Sequence, residues 1–170
     1  MTPLLRPIRE SDLAAYKTLR LEALQNHPEA FGSDYAEQAA DPDSVWAGRI
    51  RASLQGESAH LLLADAGDEL AGMLALFRDG GIKTRHAASL VSVYLRPAWR
   101  GQRLLDRMIH QALAWCATVQ IRIVRLTVVT TNAPAIRCYH RCGFEVSGIQ
   151  REVIHANNAY HDELLMWRRV

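Results

Sequence analysis

Residues 88–130 read ASLVSVYLRPAWRGQRLLDRMIHQALAWCATVQIRIVRLTVVT, and this stretch decides the fold. Its first eight residues, ASLVSVYL at 88–95, are rich in β-branched and aromatic side chains. They predict a strand, closed by Pro97. From Leu104 the apolar residues recur at Leu104, Leu105, Met108, Ile109, Ala112, Leu113 and Cys116. That is a helical stripe over three turns. Residues 121–130, IRIVRLTVVT, predict a second strand. Strand, helix and strand in succession imply a parallel crossover.

The chain on either side has a different rhythm. HLLLAD at 60–65 and ELAGMLALFR at 69–78 predict hairpin strands around a turn at Ala66–Asp68, and Asp79-Gly80-Gly81 is a second turn. LLRPIR at 4–9 predicts an edge strand, the place where Pro7 is tolerated. Ser11 or Asp12 caps a helix over 12–26, with Leu13, Tyr16 and Leu24 on one face and Leu19 and Leu21 flanking it. His27-Pro28 ends that helix. Residues 28–44 are turn-rich and acidic, with Phe31 and Tyr35 embedded. Val45, Trp46, Ile50 and Leu54 predict a second helix over 44–56. Beyond residue 130, Asn132 is a helix cap, Pro134 sits near the first helical position and Gly143 ends the helix. Strands near 144–154 and 160–169 complete the chain. The expected fold class is α/β (α+β): a single mixed, mostly antiparallel sheet of about six to seven strands flanked by helices.

The length of 170 residues fits one domain, residues 1–170. A net charge of +2 argues against a globally basic nucleic-acid binder. No run approaches the roughly 20 apolar residues of a membrane helix, so no membrane partner is expected. The start, MTPLLRPIRESD, has no apolar run long enough for a signal peptide. Three cysteines, Cys116, Cys138 and Cys142, suit a reduced, cytoplasmic protein. Cys138 and Cys142 flank His140, yet zinc takes four ligands, usually in paired spacings, and no second pair exists. Buried helix cysteines and no metal are therefore expected.

The overall charge conceals a segregation. Residues 22–69 hold ten acids and two arginines, net −8, while 83–107 hold six bases and one acid, net +5. The acidic stretch predicts attraction of a cationic amine. In the basic stretch, Arg96, Arg100, Arg103 and Arg107 gather at a helix start. Free N–H groups and a partial positive charge there suit a phosphate. Taken alone, that cluster reads equally well as a solvated helix start. The segment TNAPAIRCYHRCGF at 131–144 reads on its own as cap, helix and C-cap, with Tyr139 in the core.

Together these segments resemble the GCN5-related N-acetyltransferase (GNAT) superfamily, over nearly the whole chain. Val93-Tyr94-Leu95-Arg96-Pro97 with Arg100-Gly101 is similar to the approach and start of its pyrophosphate loop. Asn132, Ala135, Tyr139, Gly143 and Phe144 match its Asn-x-x-Ala-x-x-x-Tyr-x-x-x-Gly-Phe motif at the right spacing. The stretches Arg20–Leu24, Pro28–Ser33 and Tyr160–Met166 also resemble bacterial members. One departure is that Arg103 and Leu105 stand where the family usually has Gly and a small residue. The stripe position of Leu105 turns its side chain toward the core.

The resemblance implies transfer of an acetyl group from acetyl-CoA, as co-substrate, to a primary amine by direct attack in a ternary complex. It assigns the thioester oxygen to backbone N–H groups around Val93 and Tyr94, and the general acid to Tyr139. Val93, Tyr94, Leu95, Arg100, Gly101, Gln102, Arg103, Leu104, Leu105, Asn132, Ala135 and Tyr139 are the expected cofactor contacts. No carboxylate stands at Ser89 or Ser92, where many relatives carry Glu. Glu22, Asp34, Glu37, Glu163 or a water relay then remain as base, with Glu22 preferred because it adjoins the Phe31/Tyr35 loop. Glu22, Phe31 and Tyr35 are the expected acceptor contacts. The acceptor is a small-molecule amine or a protein or peptide amine. His140 and His161 are expected to be structural. A homodimer is compatible with the family, with Trp46, Trp99, Trp115 and Trp167 as interface candidates whose default place is the core. The altered loop keeps a second reading open: a degenerate module that binds CoA or a partner without turnover.

Overall fold

In the computed structural model, which describes residues 2–170, strands and helices follow the expected order with one addition. They are β1 Leu4–Pro7, α1 Leu13–Asn26, α2 Tyr35–Ala40, α3 Asp43–Leu54, β2 Ala59–Asp65, β3 Leu70–Arg78, β4 Ala87–Leu95, α4 Leu104–Thr118, β5 Ile123–Val129, α5 Ala133–Arg141, β6 Glu145–Ala156 and β7 Ala159–Arg169. The addition is α2, inside the stretch read as turns. It is too short for periodicity to register. The Asp34 carboxylate caps it, accepting from the N–H groups of Ala36 and Glu37 at 2.7 and 3.1 Å.

Among the described residues, seven strands form one sheet in the order β1-β2-β3-β4-β5-β7-β6. Only β4 and β5 run parallel; every other pairing is antiparallel. β1 lies at an edge, as Pro7 requires. Helices cover both faces. Tyr16 and Leu19 of α1 and Trp46 and Ile50 of α3 pack with Leu61 and Leu63 on one face. Met108, Ile109 and Leu113 of α4 pack with Leu62 and Ala64 on the other. β2 is thus buried on both sides, which accounts for its near-continuous apolar run.

Two irregularities open the sheet. β4 and β5 pair only over Ala87–Ser89 against Ile123–Arg125, and beyond those residues no ladder joins them. β4 also carries a bulge: its register with β3 shifts between Met73 and Ala75, and Ser92 has φ 55°. A bulge takes backbone groups out of the ladder and turns the strand. Beside it β3 passes close to the end of β4. A Cβ at Gly72 would lie 2.7 Å from the Tyr94 carbonyl oxygen, so only glycine fits.

Candidate active site

A cavity of about 640 Å³ opens where β4 and β5 part, over the starts of α4 and α5. Val93, Tyr94 and Leu95 line one side; Arg100, Gly101, Arg103, Leu104 and Leu105 the base; and Asn132, Ala135 and Tyr139 the other. The loop into α4 has two left-handed residues, Gly101 at φ 76° and Arg103 at φ 56°. Glycine takes this conformation freely, whereas an L side chain costs about 1–2 kcal/mol. The family's glycine pattern is thus replaced at Arg103 without losing the backbone shape a glycine would give. Arg103 caps α4, whose first-turn N–H groups have no intrahelical partners and suit an anion. Leu105 does not turn wholly to the core. It is half-buried, touching the core's edge and the cavity at once, because Leu104 holds the inward position.

The basic cluster divides. Arg96 faces away: it holds Glu22 (Nη2 to Oε2, 2.8 Å) and Glu69 (Nη1 to Oε2, 2.6 Å). Arg100 donates Nε–H to the Leu95 carbonyl at 2.9 Å, contacts His27 Nε2 at 3.1 Å and lies over Tyr94 at 5.7 Å. Arg103 is exposed at the cavity, and α5 adds Arg137 and Arg141 to the lining. These last two carry no motif position, and the sequence reading missed them. Arginine spacing of i, i+4 on an amphipathic helix was the available signal.

Asp106 ties the two helices together. Its carboxylate is buried on α4 and accepts from Arg141 Nε and Nη2 of α5, each at 3.0 Å. Burial pushes its pKa up, but the Arg141 and Cys138 donors outweigh that and hold it below the usual carboxylate value. Asp106, Cys138 and Cys142 bring ligand atoms within 4.8 Å of one another. Arg141 already supplies the positive partner there.

A second cavity, about 370 Å³, lies on the opposite side of the opening. Tyr16 and Arg20 of α1, the 30–33 loop, Gln38, Arg49, the β4 bulge and Glu163 of β7 line it. The two cavities share Ala30, Phe31, Val93, Val129, Asn132 and Tyr139, so they meet at the bulge. Tyr139 is buried, edge-on to Phe144 at 6.0 Å, and burial raises its phenol pKa. Asn132 Oδ1 accepts from the Ala135 N–H at 3.2 Å, capping α5. Glu163 pairs with Val129 in the β5–β7 register and is buried, which lifts its pKa above the usual value of 4.5.

Most of the expected contacts come together here. Val93, Tyr94, Leu95, Arg100, Gly101, Arg103, Leu104, Leu105, Asn132, Ala135 and Tyr139 line the larger cavity, and Phe31 borders both. Three residues stand apart. Gln102 is exposed and donates to the Ala98 carbonyl at 3.1 Å. Tyr35 is the exposed first residue of α2. Glu22 lines neither cavity; it accepts from Arg96 and, at 3.0 Å, from the Tyr94 hydroxyl. Held by these donors, Glu22 ties α1 to the end of β4 and stands outside both cavities. Several acids of 22–69 are likewise held in ion pairs: Asp41 with Arg49, Asp43 with Lys17, Asp65 with Arg6. His140 and His161 bond the backbone carbonyls of Phe144 and Ala156 at 3.0 and 3.3 Å.

With this geometry in hand, the likenesses to known proteins fall into place. The model of the acetyltransferase (GNAT) family matches residues 18–144, and the chain belongs to that family. Accordingly it is an enzyme of the acetyl-CoA-dependent N-acetyltransferase class. A candidate bS18-alanine N-acetyltransferase of Bacillus subtilis, bS18 being a ribosomal protein, is 25% identical over 154 residues, covering 91% of this chain and 94% of the relative. The L-amino acid N-acetyltransferase AaaT of Escherichia coli is 24% identical over 163 residues, covering 95% and 96%. The fold matches that of a phosphinothricin acetyltransferase from Sinorhizobium meliloti in complex with acetyl-CoA. Its TM-score is 0.85 at 17% identity, over 100% of this chain and 89% of that one.

Proposed function

We propose that the chain moves the acetyl group of acetyl-CoA to a primary amine by direct attack within a ternary complex. The observation that carries this reading is the meeting of two cavities at the β4 bulge beside Tyr139. The larger, with its arginines and helix start, suits a multiply phosphorylated cofactor. The smaller takes the acceptor, and the thioester lies where they join. Backbone N–H groups at Val93 and Tyr94 polarise the carbonyl. Glu163, with its raised pKa, accepts the proton of the attacking amine. The new C–N bond forms as the C–S bond breaks. Tyr139, a phenol and so protonated at neutral pH, gives its proton to the departing thiolate. The left-handed loop retained at Arg103 supports cofactor binding, and Tyr139 with Glu163 lining the smaller cavity supports turnover over the degenerate-module reading.

The test is CoA release across a panel of amines, with thermal unfolding run alongside. Acetyl-CoA is expected to raise Tm, since a ligand of the native state does so. Release of CoA with at least one amine is expected. Absence of both effects would refute the proposal.

A further inference from the structure

The acceptor cavity holds an arginine with no carboxylate partner. Arg20 lies on the buried face of α1, between Tyr16 and Ala23, and is only 6% exposed. Its Nε donates to Gln38 Oε1 at 3.2 Å, and its guanidinium lies over the Phe31 ring at 4.9 Å. Its Nη1 is buried and has no hydrogen-bond partner among the described residues. A buried guanidinium N–H left unpaired is costly, and native proteins retain few of them. Arg49 lines the same cavity, its guanidinium over Trp46 at 4.4 Å and bonded to Asp41 at 2.8 Å. Burial and the nearby charge of Arg49 both push the Arg20 pKa down, so the site is short of negative charge. Among the lining residues the one carboxylate is Glu163, beside Val129 at the junction.

We infer that the acceptor is an α-amino acid or a similarly small amino-carboxylate, its carboxylate held by Arg20 and its amine turned to Glu163. A cavity of about 370 Å³ suits one small molecule. A polyamine would set its second cation against two arginines, and a peptide N-terminus would offer Arg20 only a neutral amide. The inference rests on the acetyltransferase reading and selects among its acceptors.

The experiment measures kcat/KM for several α-amino acids and for their primary amides, by CoA release. The amide carries the same amine in less basic form, so basicity alone favours the amide at neutral pH. A charge-assisted contact predicts the reverse, with the acid preferred roughly 10–100-fold. Arg20→Gln is expected to erase most of that preference by raising KM for the acid, leaving acetyl-CoA affinity unchanged. Arg49→Gln, at a half-exposed position, reports on the same preference if the first variant fails to fold, and the acid-to-amide ratio of the native protein needs no variant. Equal use of acid and amide, or a preference for spermidine or peptide N-termini, overturns the inference and leaves the transferase intact. A ratio unmoved by both variants also overturns it. No CoA release from any acceptor, with no shift in Tm by acetyl-CoA, brings down both.

Discussion

The two cavities that meet at Tyr139 are built by opposite rules. The larger comes mostly from two nearly contiguous segments, the β4 end with its loop into α4 and the β5 end with α5, joined by His27 and residues 29–31. The smaller joins short runs of the 30–33 loop, β4 and β5 to one or two residues each from α1, α2, α3, β3, α5 and β7. A phosphate-rich ligand is held by backbone shape and mobile surface arginines, which short motifs encode. Acceptor choice depends on side chains that only the finished fold assembles. If labour is divided this way, single substitutions should separate into cofactor effects, acceptor effects and effects at the junction.

The largest effect is expected at the junction. Tyr139→Phe keeps the ring in its packing and removes only the hydroxyl. General-acid loss costs about 10²–10⁴-fold, so kcat should fall by at least about 100-fold while both ligand affinities stay within twofold. A drop in acetyl-CoA affinity instead would make Tyr139 a wall of the larger cavity. Next comes Glu163→Gln, which should lower kcat/KM by roughly 100-fold without touching acetyl-CoA binding. It should also flatten the rise of native kcat/KM with pH above the usual carboxylate value. Its stability effect has the opposite sign. Because burial raises the Glu163 pKa, its contribution to stability is full below the unfolded value and is lost as pH rises through the folded one. The variant should therefore gain Tm over the native protein at pH 7 and lose that advantage near pH 4.

What was readable in advance follows the same division. The 88–130 crossover, the Asn132 cap and the Gly143-Phe144 exit are local, and each acts through neighbours a few residues away. The splay of β4 from β5 and the left-handed Ser92 have no mark in residue type, because tertiary packing imposes them. Glu22 illustrates a different failure. Its position near the Phe31 loop was legible, yet its donors come from residues 94 and 96, on a strand over 70 positions away. The net −8 of the acidic stretch likewise says nothing of ion pairing, in which Arg6, Lys17 and Arg96 from outside it take up part of that charge. Arg20 was the signal to heed. An arginine four residues beyond Tyr16, flanked by Leu19 and Ala23, interrupts the apolar face of a helix. A charge there is paired, unfolded or used.

Asp106→Asn tests whether the larger cavity also needs long-range support. The carboxylate joins α4 to α5 through Arg141. Removing its charge leaves part of that contact unpaired and should lower Tm by roughly 3–6 °C. Acetyl-CoA affinity should weaken a few-fold and acceptor KM should hold. Because the native Asp106 pKa is depressed, its stabilisation is present above the usual carboxylate value of 3.8 and fades as pH falls through the folded value. The Tm difference between native and variant should therefore narrow in acid. A difference that is constant with pH would assign the loss to packing alone.

The smallest effect is expected at Arg103, where two forces nearly cancel. Glycine relieves about 1 kcal/mol or more of left-handed strain, but it adds roughly 0.5–1 kcal/mol of chain entropy to be lost on folding. Arg103→Gly should therefore move Tm by less than about 2 °C. Binding is another matter, since the exposed guanidinium sits at the cavity proposed for the cofactor. Loss of one charged contact should weaken acetyl-CoA roughly threefold to tenfold and flatten the salt dependence of its Kd, because screened contacts are those that salt weakens. Unchanged affinity at low salt would mean that the loop binds through its backbone alone. In that case the arginine keeps the glycine's conformation without adding to the site, and acetyl-CoA recognition would rest on the α4 start, Arg100 and Arg137.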